Sequence, residues 1–136
     1  MPDREDFSVL ASIGSATEDE AGYSRPFVFS AEKVIAASGS GSHVFTITDP
    51  YFAYIPLLVA ISTQGVYAFT ATVYFAGVEF FYAAADRSLC LQCAALTGLQ
   101  LENADTIQIS LTNLSASQVT FLIAVQGAKL LMSVGG

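Results

Sequence analysis

The sequence predicts an all-β fold: one antiparallel β-sandwich, arranged as a jelly roll of about eight strands. Three observations predict this class. Turn-forming residues interrupt the chain at short intervals from Gly14 to Gly127, with short apolar runs between them. Within these runs apolar and polar side chains alternate with a period of two, as a strand half buried against a core requires. The best helical stretch, residues 83–96, lacks a clean apolar stripe and is interrupted by Asp86-Arg87-Ser88.

Taken in order, the apolar runs predict strands near residues 7–13, 26–30, 43–48, 55–62, 66–75, 78–83, 89–96, 106–112 and 119–125. The alternation is clearest in residues 106–112, where Ile107, Ile109 and Leu111 share one face and Gln108 and Ser110 the other. Pro50 and Pro56 favour extended or turn geometry at the preceding residue, which predicts a loop or an edge segment there.

Two segments are apolar on both faces. They are Val119–Val125 and Val66–Phe81, the second of which is predicted to be a hairpin broken near Gly77. In an antiparallel domain one sheet face usually meets water, and such a strand would then leave an apolar patch exposed. The pattern therefore predicts that a neighbouring molecule covers one sheet.

The composition is unusual for a soluble monomer. Of the 136 residues, 53% are hydrophobic and 12% are charged, whereas about 25% charged residues is typical. The net charge is −7, and six acids against Arg4 place −5 of it within residues 1–20. We therefore predict an acidic N-terminal arm over residues 1–22, either solvated or docked on a basic neighbour, and a single β-sandwich domain over residues 23–136.

The charge distribution and the hydropathy exclude two classes of partner. The four basic residues beyond the arm are scattered and cannot form a surface that follows phosphates, so we expect no nucleic acid partner. The longest apolar window, Val66–Ala85, contains Glu79, lacks flanking basic residues and is rich in β-branched and aromatic residues. We expect strands there and no membrane partner. The acidic start also lacks the basic region of a secretory signal.

Few residues offer catalytic or metal-binding chemistry. Cys90 and Cys93 have the spacing of a redox or half-zinc motif, and three interpretations stay open: small buried side chains, a reversible disulfide, or a metal shared with another subunit. His43, Ser42 and Asp49 lack the strand-turn-helix context of a nucleophile. We expect no enzyme, no catalytic residue, no cofactor and no metal site of the chain's own.

The acids outside the arm fall beside turn residues, with one exception. Glu79 lies between Val78 and Phe80 in an apolar run. Because a lone buried carboxylate is costly, we expect Glu79 to meet solvent on an edge strand or to pair across a subunit contact with a basic residue. The candidates for that pairing are Arg25, Arg87 and Lys129.

Aromatic residues are concentrated in the middle third of the chain. Core packing, subunit contact and ligand stacking are all open for them. From the two-faced segments we predict an interface with another copy or another partner, formed by Tyr67, Phe69, Tyr74, Phe75, Phe121 and Ile123.

Three segments carry a resemblance to known proteins. The run Gly41-Ser42-His43-Val44-Phe45-Thr46-Ile47 and the closing hairpin from Thr106 to Phe121 resemble small jelly-roll decoration or cement proteins of tailed-phage capsids. Gly65-Val66-Tyr67-Ala68-Phe69 is similar to a segment of trimeric tumour-necrosis-factor-like jelly rolls. The resemblance implies a structural protein located in the virion, bound to the major capsid protein or other virion proteins, and a homotrimer.

The leading functional expectation is therefore a non-enzymatic capsid decoration or cement protein that acts as a homo-oligomer, with a trimer favoured over a dimer. A carbohydrate- or receptor-binding module, of the tail fibre or adhesin type, is the alternative. In that case aromatic residues and the loop acids Asp49, Asp86 and Asp105 would form a pocket, with calcium as a further ligand option.

Overall fold

A computed structural model describes residues 24–93 and 98–132, and it is all-β over both ranges. Eight strands form two antiparallel sheets of four. In chain order they are β1 (Ser24–Ile35), β2 (Ser40–Thr46), β3 (Phe52–Ser62), β4 (Phe69–Phe75), β5 (Val78–Ala85), β6 (Ser88–Gln92), β7 (Thr106–Asn113) and β8 (Val119–Leu131). The predicted all-β sandwich class is confirmed.

The strand order places neighbours in sequence in different layers. The first sheet has the order β1-β8-β3-β6 and the second the order β2-β7-β4-β5. The β4–β5 hairpin is the one connection between consecutive described strands that stays within a sheet, and each of the others passes to the opposite layer. A sheet with one apolar face must bury that face against another layer, and here each sheet does this for the other.

Side-chain alternation decides which residues form the core. In β4 the odd positions Phe69, Ala71, Val73 and Phe75 are buried, while the intervening side chains are half-buried. The same odd positions point inward in β8, from Val119 to Val125. Ring contacts across the two layers, such as Phe69 with Phe121 at 5.2 Å between centroids, close the centre of the sandwich.

Asn113 ties the loops together at one end of the sandwich. Its side chain is fully buried. Nδ2 donates to the carbonyls of Ile35, Ala36 and Ser117 at 2.8–3.1 Å. Oδ1 accepts from the backbone N–H and the hydroxyl of Ser115 at 2.9 and 2.7 Å. The β1–β2 and β7–β8 connections are therefore joined through one amide whose hydrogen-bonding capacity is largely used.

A bulge bends the centre of the first sheet. The pairing of β3 with β8 shifts register between Pro56 and Leu58, and Gly127 lies opposite Pro56. A Cβ atom on Gly127 would overlap the carbonyl oxygen of Ile55 and lie 2.9 Å from the ring of Phe27. Only glycine lets the two backbones approach this closely.

The predicted strands correspond to the observed ones with differences at their ends. β1 continues to Ile35 and β8 to Leu131, five or six residues beyond the predicted ends. β6 ends at Gln92, before the predicted end at residue 96. The predicted strand at 7–13 and the acidic arm lie outside the described residues. Within the described ranges, no helix has the length and hydropathy needed to cross a membrane.

Candidate interaction surfaces

The outer face of the second sheet is covered with hydroxyl groups. Cross-strand register aligns Ser42, Ser110 and Thr72 in one row and Ser40, Thr112 and Thr70 in the next. We call this surface the hydroxyl face; its outward residues are Ser40, Ser42, Val44, Thr46, Thr70, Thr72, Tyr74, Glu79, Tyr82, Ala84, Thr106, Gln108, Ser110 and Thr112. Glu79 is the one charged residue among them.

Neighbouring side chains on the hydroxyl face bond to each other. The hydroxyl oxygens of Ser40 and Thr112 lie 3.2 Å apart, and the amide of Gln108 donates to Ser110 Oγ at 3.2 Å. Tyr82 is 66% exposed and Tyr74 is half-buried on the same face. The surface therefore combines flat hydroxyl rows with two aromatic rings and presents neutral donors and acceptors to any partner.

The outer face of the first sheet is formed by small residues at its centre. Register places Ser30, Ala124, Ala60 and Cys90 in one row across all four strands. We call this surface the small-residue face; its outward residues are Val28, Ser30, Glu32, Val34, Leu58, Ala60, Ser62, Ser88, Cys90, Gln92, Thr120, Leu122, Ala124 and Gln126. Glu32, on an edge strand, is its one charged residue.

A shallow depression of about 390 Å³ lies in the small-residue face. Ser30, Ala60, Ser62 and Ala124 line it with short side chains, Leu122 contributes a larger apolar side chain, and Glu32 is the charged residue of its lining. The space exists because the outward side chains of three adjacent strands, β1, β8 and β3, are mostly short there. The depression fits an apolar or weakly polar side chain of a partner better than it fits an anionic ligand.

The six residues predicted to form an interface divide into two groups. Phe69, Phe75, Phe121 and Ile123 have at most 1% of their surface exposed and belong to the core of the subunit. Tyr67 and Tyr74 are half-buried. The assignment of the first four to an interface was therefore wrong, because alternation turns them toward the opposite sheet and leaves no surface for a partner.

The described charged residues that lie outside both outer faces cluster at the ends and sides of the sandwich. Among them, Asp49 makes contacts with three neighbouring residues. Its Oδ2 accepts from the hydroxyl of Tyr54 at 2.9 Å and lies 3.7 Å from Nζ of Lys129. Its Oδ1 accepts from the backbone N–H of Tyr51 at 2.9 Å. Lys129 Nζ also lies 4.8 Å from the centroid of the Phe52 ring, a cation–π distance.

These contacts shift two ionisation equilibria. The Tyr51 N–H, with help from Tyr54 and Lys129 and against partial desolvation, holds the pKa of Asp49 below its ordinary value. Burial, reinforced by the adjacent Asp49 carboxylate, raises the pKa of Tyr54 to about 12. Asp49 is thus ionised at neutral pH and fixes the β2–β3 loop on β3 and β8, and it is poorly suited to transferring protons at that pH.

The three acids proposed for an alternative pocket do not all lie at the same end of the sandwich. Asp49 and Asp105 flank loops at the end of the sandwich opposite Asn113, and Asp105 Oδ2 accepts from the Glu102 N–H at 2.8 Å. Asp86 lies at the Asn113 end, where its carbonyl accepts from the Tyr67 N–H. Within residues 24–93 and 98–132, no group of three or more His, Cys, Asp or Glu side chains is placed to hold a metal ion.

The cysteines, His43 and Glu79, which the sequence also offered as candidates, lie in different environments. Cys90 is exposed and Cys93 buried, both are free thiols, and burial raises the pKa of Cys93. His43 packs its ring edge-on against Phe45 at 4.5 Å. Glu79 lies exposed on the edge strand β5, which agrees with the solvent-facing alternative for this residue.

Sequence reasoning missed both outer faces, although their signal was present. Hydroxyl residues alternate with large apolar ones in β4 and β7, and they mark the outward positions. No protein-family model matches the chain, and no curated protein matches it.

Proposed function

We propose that the protein is a non-enzymatic structural component of a virion, a capsid decoration or cement protein that acts as a homo-oligomer bound to the major capsid protein. The observation that carries this proposal is the neutrality of both outer sheet faces. Glu32 and Glu79 are the charged residues on them, and both lie on edge strands. A free surface domain usually displays about 25–35% charged residues, whereas a face that is covered in an assembly gains by avoiding the desolvation of charge.

The pattern of strand pairing supports the jelly-roll part of the prediction. β1 pairs with β8, β2 with β7, β3 with β6 and β4 with β5, all antiparallel. These are the pairs formed when a long antiparallel hairpin of eight segments is rolled into two layers. We therefore infer a jelly roll, the architecture that viral capsid proteins share with other β-proteins.

We infer that the small-residue face is the surface that contacts the particle. The lining of its depression includes Ala60, Leu122 and Ala124, and Glu32, on the edge strand β1, is the one charged residue of that lining. Small side chains let another surface approach the sheet closely, as in the packed layers of protein interiors. The localisation that follows from this role is the virion.

Co-sedimentation with particles assembled from the major capsid protein of the source virus tests the proposal. We expect the wild-type protein to sediment with particles and Ala124→Lys to bind about tenfold more weakly or not at all, because a lysine in the centre of the face must be desolvated. Ser117→Lys, in an exposed loop, is the matched control and should bind normally. A wild-type protein that never sediments with particles would refute the proposal.

A carbohydrate- or receptor-binding module is the second candidate, and the hydroxyl face favours it. Tyr82 and Tyr74 share that face with Gln108 and rows of hydroxyls, a combination suited to stacking against and hydrogen bonding a sugar. A glycan array separates the two functions: glycan binding that Tyr82→Ala abolishes, without binding to particles, would place this candidate first.

A further inference from the structure

β5 is an edge strand whose second half, residues 81–85, lacks the usual protection against pairing. It has eight residues with the sequence VEFFYAAA, and among the described strands it pairs with β4 alone. One side of its backbone therefore leaves N–H and C=O groups unpaired in the described part of the chain. Natural edge strands are blunted by proline, by charged side chains, by bulges or by shortness, because an open edge is a template for another strand. β5 contains no proline, lysine or arginine, and its acid, Glu79, and its bulge at Phe80 both precede the segment 81–85.

The other edges are better protected. β6 has only five residues. β1 contains Pro26 and the charged residues Arg25, Glu32 and Lys33. Its neighbour across the layers, β2, is partly covered by β1 side chains: Phe29 stacks on Phe45 at 5.6 Å. A Cβ atom on Gly41 of β2 would also lie 3.1 Å from Cε of Lys33.

Exposed apolar side chains accompany the open backbone of β5. Val78 is 57% exposed, Phe80 37% and Tyr82 66%. Phe80 is the extra residue of a bulge, since Val73 pairs with Phe81 and Tyr74 with Glu79. The bulge confines regular pairing to the segment from Phe81 to Ala85, because bulges interrupt the ladder.

That segment is complementary to itself in side-chain size. In an antiparallel pair of two copies centred on Ala83, Tyr82 lies opposite Ala84 of the second copy, and Phe81 lies opposite Ala85 of the second copy. Tyr82 and Ala84 point outward and Phe81 and Ala85 inward, so each aromatic ring meets a methyl group on its own face of the sheet. Such cross-strand pairs stabilise sheets.

The charges permit the same arrangement. The two Glu79 side chains would lie eight positions apart, about 26 Å at 3.3 Å per residue. This exceeds the Debye length of about 8 Å at physiological salt. Each Glu79 would instead approach the turn that follows β5 of the other copy, where Arg87 is exposed beside Asp86.

We propose that β5 pairs antiparallel with β5 of a second copy around a two-fold axis at Ala83, joining two four-stranded sheets into one of eight strands. This contact specifies how the homo-oligomer of the proposed function would form, and its biological role depends on that proposed function. The contact is isologous, which means that the same surface is used by both copies. Alone it gives a dimer, and combined with a three-fold contact it joins trimers in pairs, so the number of chains is even. Edge pairing buries little area, and association in the micromolar range is expected.

Light scattering and sedimentation over about 1 to 300 µM chain test the pairing. The double variant Tyr82→Lys with Ala84→Lys places lysine opposite lysine at both ends of the pair. We expect it to halve the mass of the wild-type oligomer and to raise the dissociation constant about tenfold or more, because directly opposed like charges destabilise paired strands. The matched control is Val28→Lys with Val34→Lys, which adds the same charge at exposed positions of the β1 edge and should leave the mass unchanged.

A charge-swapped mixture tests the register. Tyr82→Glu with Ala84→Glu should also be halved in mass, and mixing it with the lysine variant should restore the even-numbered oligomer, because each lysine then faces a glutamate. Far-UV circular dichroism verifies that both variants are folded. A wild-type monomer at 300 µM or an odd-numbered oligomer would overturn the proposal. An oligomer mass that the double lysine variant leaves unchanged would do the same, as would a mixture of the lysine and glutamate variants that does not reassociate.

Failure of this contact is distinguishable from failure of the proposed function. A wild-type protein that binds particles as a monomer or trimer would overturn the β5 pairing alone. An even-numbered oligomer that the lysine variant halves, but that never sediments with particles, would refute the capsid role and leave the pairing supported.

Discussion

Replacing Asn113 perturbs the sandwich at a single buried amide that joins two loops. Asn113→Ala removes the donor to the carbonyls of Ile35, Ala36 and Ser117 and the acceptor for Ser115. The Ala36 carbonyl keeps its bond from the Gly39 N–H. The Ser117 carbonyl lies in an exposed loop that water can reach. The hydrogen bonds that are lost without replacement are therefore mainly those of the Ile35 carbonyl and of Ser115.

The magnitude follows from these partners. A hydrogen bond contributes about 1 kcal/mol net, and a buried group left without a partner costs about 1–3 kcal/mol. We expect Asn113→Ala to lower the free energy of unfolding by about 3 kcal/mol. Asn113→Asp should cost more at pH 7, because a carboxylate oxygen would then face carbonyl oxygens that accept hydrogen bonds and donate none.

The aspartate variant also has a pH signature. Neighbouring carbonyls disfavour its ionised form, so its pKa in the folded state lies above that in the unfolded chain. The folded state then binds more protons, and the variant loses stability as pH rises from about 3.9, the unfolded value, through the folded pKa. The difference in the free energy of unfolding between Asn113→Asp and Asn113→Ala should therefore become smaller on acidification from pH 7 toward pH 4.

Urea unfolding of both variants at the two pH values measures these differences. The same two substitutions at Asn103, exposed in a turn, are the matched controls and should change stability by less than about 0.5 kcal/mol. An aspartate variant as stable as wild type at pH 7 would refute the reasoning, since it would show that the three carbonyls do not depend on the Asn113 amide.

Three further predictions concern the backbone, a charge and a thiol. Gly127→Ala should unfold at clearly lower urea concentration than wild type, because its Cβ would overlap the Ile55 carbonyl; an unchanged midpoint would show that the bulge can relax. Wild type should lose stability as pH falls below about 3.9, and Asp49→Asn should lose less over that range, since the folded pKa of Asp49 is lowered; parallel curves would contradict this. A maleimide should label Cys90 within the folded protein and Cys93 only on unfolding, as mass spectrometry of peptides can check, because Cys93 is 2% exposed with a raised pKa.

The strands were largely predictable because turn residues and period-two alternation are local signals. All eight described strands overlap predicted ones. The ends of β1 and β8 were missed because Glu32, Lys33, Gly127 and Lys129 interrupt the apolar pattern. These residues are accommodated by an edge position, a bulge and a cation–π contact, and each of these depends on neighbours distant in sequence.

The candidate surfaces were harder to predict because alternation defines two faces without saying which packs inward. In β8, Phe121 and Ile123 alternate with Leu122 and Ala124, so both faces qualify as apolar. Packing resolves the choice through volume, since the larger set fills the space between the sheets and the smaller set remains outside. The predicted interface at Phe121 failed for this reason.

The low charge of the composition therefore has a different structural meaning from the one the two-faced strands suggested. The large apolar residues of β4 and β8 find cover inside the subunit, so they do not require a neighbour. What remains unusual is that the outward positions are serine, threonine, alanine and glutamine where charges would usually stand. Neutral faces reduce the desolvation cost of any contact but do not select a partner. A partner is selected by features with direction, and the proposed pairing of β5 with a second copy would fix both the orientation and the register of the contact.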